Sequence, residues 1–362
     1  MNEPPMTLAA PRIDCREYGQ LPDGRVVHEY TLACGPLTLS AITLGGIVTR
    51  LMVPDRAGRM ANVVLGFDAL HDYVERNPHF GLIVGRYGNR IAGARFSLDG
   101  QVHELSRNDG DNCLHGGRQG FGTRLWRAEP LPCRPGDDSV ALQLSYISED
   151  GEQGFPGRME ARVRYTLAAD ASWRVDYEAT TDQPTVVNLT HHDYFNLAGG
   201  GSALGHKLLL VASHYTEVGP GLIPTRVAEV EGTPFDFRHG AVIDSRIRQD
   251  HPQLAHGRGY DHNWLLDRRG GDALQVAAQL ADPASGRVMM VLTTEPAIQF
   301  YSGNFLDGTL LGTGGQRLRQ GDGLCLETQH SPDSPNRPDW PSTVLRPGET
   351  YRSSTLHRFS VA

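Results

Sequence analysis

ARVRYTL, residues 161–167, and WRVDYEA, residues 173–179, each place an apolar side chain at every second position, with five residues between the two runs. Side chains of an extended chain alternate between two faces, so both runs read as strands with one buried and one solvated side. The join is short enough for a hairpin. The same alternation recurs at 26–32, 37–42, 140–146 and 274–280, with Gly, Pro, Asp or Asn near many of the boundaries. Helical periodicity is scarce. Residues 68–76, with Asp68 as a possible cap and Leu70, Tyr73 and Val74 apolar, predict about two helical turns that act as a connector.

Many one-sided strands with few helices need a second layer to cover each apolar face, which predicts a mostly β protein, a large antiparallel β-sandwich with few short helices. No fixed-period repeat or dividing linker interrupts the 362 residues, so a single domain over 1–362 is expected. The stretches 134–139 and 267–272 read as exposed loops. Four prolines within 331–341 predict an ordered, irregular loop.

Composition removes several function classes. A formal charge of −8 opposes a polyphosphate partner, so no nucleic acid is expected. No apolar run reaches the ~18 residues that span a bilayer, and the opening MNEPPMTLAAPRI lacks the basic-then-apolar order of a secretory leader. A soluble, cytoplasmic protein without a membrane partner is the expectation. Five scattered cysteines, Cys15, Cys34, Cys113, Cys133 and Cys325, fit neither a disulfide framework nor a CxxC site. Lys207 is the only lysine, and it lies between His206 and Leu208, so there is no phosphate-binding Gly-Lys loop. Schiff-base chemistry would have to use that one residue, which reads instead as a strand end. Dinucleotide, nucleophile-elbow and HExxH signatures are also missing.

Five separated stretches carry polar chemistry that sandwich turns do not require. GRYGNRI (85–91) and NDGDNCLHGG (108–117) set Asn89, Arg90 and His115 among glycines. In NLTHHDYFNL (188–197) adjacent histidines on a strand face opposite ways, so only one of His191 and His192 can enter a given pocket. GYDHNW (259–264) offers Asp261 beside aromatic rings. The last stretch joins IQFYSGN (298–304) to GLCLETQ (323–329), an apolar strand whose single acid, Glu327, must be exposed, paired or functional. Any one of these motifs suits a surface turn or a core network. Together, carboxylates, histidines, amides and an arginine with interleaved aromatics suit a neutral polyhydroxylated ligand, a sugar.

With GRYGNRIAGARF (85–96), QFYSGNFLDG (299–308) and GLCLETQHSPDSPNRPDWPSTVLRPGETY (323–351) added, six ordered runs cover nearly the whole chain, which resembles the aldose 1-epimerase (galactose mutarotase) family. The resemblance implies that family's fold, a large antiparallel sandwich with a sugar cleft, and a cofactor-free isomerase acting on a free aldose such as galactose or glucose. Carried over by position, it implies Glu327 as catalytic base, His192 as proton donor and His115 as a second active-site histidine. It implies substrate binding by Asn89, Arg90, Asp261 and Gln299, with Tyr194 as a neighbour. The chain departs at His191 and Asp193, where the family commonly carries Asn and Ser or Thr. The expected partner is a monosaccharide, and the expected state is a monomer or homodimer.

Interconverting anomers requires the ring to open, C1–C2 to rotate, and the ring to close. A base takes the C1 hydroxyl proton while an acid protonates the ring oxygen, and mutual attraction is expected to keep Glu327 as carboxylate and His192 as imidazolium. Four other readings use the same residues. A glycoside hydrolase would pair Glu327 with Asp261. A non-catalytic sugar-binding protein would keep the cleft alone. A metal site would use His115, His191 and His192, although strand alternation separates the last two. A hexose-6-phosphate 1-epimerase would need an added cationic pocket.

Overall fold

The computed structural model of the protein describes residues 9–134 and 136–362. The first eight residues, part of the stretch read for a leader, lie outside them, as does Pro135 of the expected 134–139 loop. The two runs that opened the sequence reading form strands Met159–Ala168 and Ser172–Thr181, paired antiparallel from Met159 opposite Thr181 to Ala168 opposite Ser172. Their apolar residues, from Ala161 to Leu167 and from Trp173 to Ala179, are buried as the alternation requires. Fully burying a side chain such as Val or Leu stabilises by roughly 1.5–3 kcal/mol, which explains why such a repeated pattern fixes the pairing register.

This hairpin lies within a nine-stranded antiparallel sheet that also takes in Ser139–Ser148, Tyr351–Val361, Arg287–Thr293 and Gln275–Ala281. Two five-stranded sheets face it. One is the meander from Ala9–Gln20 to Met60–Asn62, and the other runs Pro224–Glu229, His214–Val218, Asp261–Leu265, Ala297–Tyr301 and Cys325–Gln329. A continuous core joins the layers: Leu32 and Leu39 of the first small sheet, and Trp264 and Phe300 of the second, belong to the same apolar cluster as Leu142, Val163, Leu280 and Val291. The chain is mostly β, as expected.

The helix is shorter than predicted, Leu70–Glu75, and Asp68 does not cap it. That carboxylate instead accepts the Gly314 amide at 2.8 Å, a tertiary contact invisible to local pattern. A second short helix, Pro252–Gly257, starts at a proline with the His251 ring accepting the Gln253 amide; histidine is not among the usual capping signals. Lys207 opens a strand, and all five cysteines are free. No helix among the described residues is long and apolar enough to cross a membrane.

Candidate active site

Three neighbouring strands supply one wall of the site. Asn263 lies opposite Gln299, and Gln299 opposite Glu327, in the Asp261–Leu265, Ala297–Tyr301 and Cys325–Gln329 ladder. Paired residues project to the same face and Asp261 is two positions from Asn263, so Asp261, Gln299 and Glu327 share one side of the sheet. The facing residues come from two short ladders. Thr190–His191 pairs with Ile83–Val84, and Arg90–Ile91 pairs with Cys113–Leu114, which sets His115 beside Asn89.

These elements enclose a cavity of about 780 Å³, within the range of small-molecule sites. Asn89, Arg90, His115, His192, Tyr194, Asp261 and Glu327 line it. The eighth expected residue, Gln299, shares that face of the sheet but is not among the lining residues: its amide donates to the Asp261 carboxylate at 2.7 Å. Tyr194 spends its hydroxyl on the Pro78 carbonyl at 2.9 Å and stacks its ring on His192, with centroids 5.2 Å apart.

Glu327 and His192 meet. The Nε2 of His192 is 3.7 Å from Glu327 Oε1, too far for a direct hydrogen bond and close enough for both to touch one small group. Glu327 Oε2 is buried and has no hydrogen-bond partner among the described residues. Burial, then the Asp261 charge, pushes the Glu327 carboxyl well above the usual range, against a smaller opposing pull from Arg90. Burial holds the His192 imidazole well below its ordinary value. Desolvation in a closed wall thus works against both charges, opposing the mutual attraction expected to keep Glu327 as carboxylate and His192 as imidazolium. Burial likewise raises the Asp261 carboxyl, while the Arg90 guanidinium, tied to Asp109 at 2.7 Å, opposes it.

His191 faces the other way, as strand alternation requires. Its Nδ1 lies 2.6 Å from Asp193, and its Nε2 lies 2.8 Å from the Tyr165 hydroxyl. Tyr165 donates its only proton to the Gly46 carbonyl at 2.6 Å, so His191 Nε2 must carry a hydrogen. His191 and Asp193 thus form a buried, hydrogen-bonded pair behind His192, with Asp193 Oδ1 left without a partner among the described residues. It does not enter the cavity.

One ligand atom each from His115, His192 and Glu327 lies within 4.8 Å of the others, the spacing of a possible cation site. The His115 ring fits such a site poorly. Its Nδ1 accepts the Asn89 amide at 3.2 Å, so the neutral ring carries its proton on Nε2 and presents a donor there instead of a lone pair. A hydroxyl oxygen suits that atom better than a metal ion.

His79 was missed. It lines the cavity beside His115 and His192, with ring centroids 4.9 Å and 5.4 Å away. A single histidine in a loop of no periodicity carries no signal in the sequence. Asp109 and Asp111 also line the cavity, as do Leu222 and Phe305; the two acids stood in the 108–117 motif without being singled out.

The family described as aldose 1-epimerase matches residues 28–358 of the chain. Galactose mutarotase of Rattus norvegicus is 43% identical over 349 residues, covering 95% of this chain and 98% of that protein. Aldose 1-epimerase of Escherichia coli K12 is 39% identical over 343 residues, covering 93% and 96%. Among solved structures, galactose 1-epimerase of Lactobacillus acidophilus superposes with a TM-score of 0.86 at 26% identity, covering 98% of this chain and all of that one.

Proposed function

The chain belongs to the aldose 1-epimerase family, and from that premise we propose that Glu327 and His192 are the base and acid with which it opens and recloses the sugar ring. The protein is a cofactor-independent isomerase that interconverts the α and β anomers of an aldose. The observation that carries the residue assignment is the buried, unpartnered Glu327 Oε2 beside an imidazole 3.7 Å from the same carboxyl group. An orphaned carboxylate oxygen in a closed wall is costly unless a ligand supplies its hydrogen bond.

A bound hemiacetal has two oxygens on one carbon. Its C1 hydroxyl donates to Glu327, and its ring oxygen accepts from His192. Both hydrogen bonds favour the charged members of the pair, so sugar binding biases the shared proton toward the imidazole. Glu327 then takes the hydroxyl proton as the C1–O5 bond breaks, and His192 gives its proton to the departing oxygen. Rotation about C1–C2 presents the other aldehyde face, and reclosure returns both protons. No proton need be exchanged with solvent. His115 Nε2 donates to a substrate oxygen, Arg90 and Asn89 hold hydroxyls, and Asp261, braced by Gln299, accepts from another.

Arg90 is the only Lys or Arg among the lining residues, and Asp109 already pairs with it; four carboxylates share the cavity. That balance favours a free sugar over a sugar phosphate. A core continuous across the sheets supports reading the protein as a single-domain enzyme acting on a monosaccharide. Polarimetry on freshly dissolved α-galactose and α-glucose tests the function: the expected result is accelerated equilibration that persists in chelator, and no acceleration rejects it.

A further inference from the structure

Four of the chain's non-glycine residues with left-handed backbone lie on the cavity wall: His79 at φ 74°, Asn89 at 63°, His115 at 50° and Leu222 at 58°. Such a conformation costs of order 1 kcal/mol or more for a side chain with a Cβ, and it persists where surrounding structure or function imposes it. Asn89 and His115 are accounted for above. His79 is not. Its position is fixed from behind, because the preceding carbonyl of Pro78 accepts the Tyr194 hydroxyl and the following Phe80 amide donates to Asn77 at 2.7 Å. Among the described residues, nothing hydrogen-bonds the His79 ring, although both neighbours in sequence are tied down. Burial pushes its imidazole down to about 4, so near neutral pH it offers one donor and one acceptor. That is the complement of a hydroxyl, which also gives one and takes one.

His79, His115 and His192 form a triangle of rings on the cavity wall with centroids 4.9 to 5.4 Å apart, and His115 and His192 each bring a ring nitrogen within 4.8 Å of a Glu327 carboxyl oxygen. If His192 addresses the ring oxygen, the substituent nearest the triangle is the one on the neighbouring carbon, C5. In a hexopyranose that substituent is the exocyclic hydroxymethyl group, and in a pentopyranose it is hydrogen.

We propose that His79 is a substrate-binding and specificity-determining residue that hydrogen-bonds the exocyclic hydroxymethyl group and so favours hexoses over the matching pentoses. The proposal rests on the mutarotase reading, since it uses His192 to orient the ring. One neutral hydrogen bond corresponds to roughly a 5- to 10-fold preference.

The test uses two sugar pairs that differ only in that group, galactose with L-arabinose and glucose with D-xylose. Two variants guard against misfolding: His79→Phe keeps a ring in the triangle without its nitrogens, and His79→Gly relieves the left-handed backbone. Circular dichroism checks that each is folded. The expected result is a 5- to 10-fold fall in kcat/KM for both hexoses, carried mainly by KM, with both pentoses within 2-fold of the unmodified enzyme. An equal fall for hexoses and pentoses assigns His79 a structural role and overturns the proposal, as does no change for any sugar. The unmodified enzyme separates the two levels of inference: if it accelerates none of the four sugars the mutarotase reading itself fails, whereas activity with an unchanged hexose preference rejects only the role of His79.

Discussion

Glu327 illustrates how a single side chain can be legible in sequence while its charge is not. An isolated acid in an apolar strand announces a special role, but only the closed wall around it shows that burial raises its carboxyl well above the usual range. Glu327→Gln keeps shape and removes the base; the expected loss in kcat is about 10²- to 10⁴-fold with a folded protein, read by polarimetry and circular dichroism. His192→Asn is expected to depress kcat similarly, whereas Asp261→Asn acts mainly on KM; the opposite pattern would exchange their roles. The working pair holds one proton. Since His192 sits below its ordinary value, the second proton adds only as pH falls below about 6.5, and since Glu327 sits above its ordinary value, the shared proton leaves only above the usual carboxylate range. The profile of kcat/KM against pH is therefore expected to be bell-shaped, with its acid limb below pH 6.5.

At the scale of elements, the site depends on contacts that hold short segments together more than on the segments themselves. Asn188, fully buried, donates to the carbonyls of Gly88 and His330, both at 3.2 Å, and accepts the His330 amide at 3.0 Å. Gly88 precedes Arg90 by two residues, His330 follows Glu327 by three, and Asn188 itself precedes His192 by four. One amide thus fastens three segments of the active site. Asn188→Leu removes one buried and two part-buried hydrogen bonds to backbone groups, roughly 1–3 kcal/mol for the buried one and less for the others, so a lower urea midpoint and a lower kcat are both expected. Unchanged kcat well below the midpoint would mean that the clamp serves stability alone. The long strands were readable because alternation with period two persisted for seven or more residues. The two-residue ladders, one ending at His191 just before His192 and one carrying Arg90, are too short for any period to show, and the histidine-capped helix begins without the usual signal.

For the whole molecule, burial of histidines that do not line the cleft sets the response to acid. His206 and His357 are pushed down to about 4 and His262 to about 3, each first by desolvation. The unfolded chain protonates these rings near pH 6.5 while the folded chain resists, so stability is full above that pH and falls as pH drops toward 4. Each ring contributes a slope of about 1.4 kcal/mol per pH unit across that window. Glu327 and Asp261, raised in the folded state, act in the opposite sense, but the depressed cleft histidines His79, His115 and His192 reinforce the loss. The melting temperature at pH 5 is expected to lie clearly below that at pH 7.5; an equal or higher value would contradict these burial-driven shifts.

The amino-acid order alone determined the layered antiparallel architecture, because alternating polarity is local and each apolar face demands a cover. It also determined most of the chemistry-bearing residues, because their motifs stand out against sandwich turns. Tertiary structure decided which of those groups touch. It tied Gln299 to Asp261, turned His191 into the interior and added His79 to the wall, since distances between remote strands and the loss of water around a charge arise only when the sheets close.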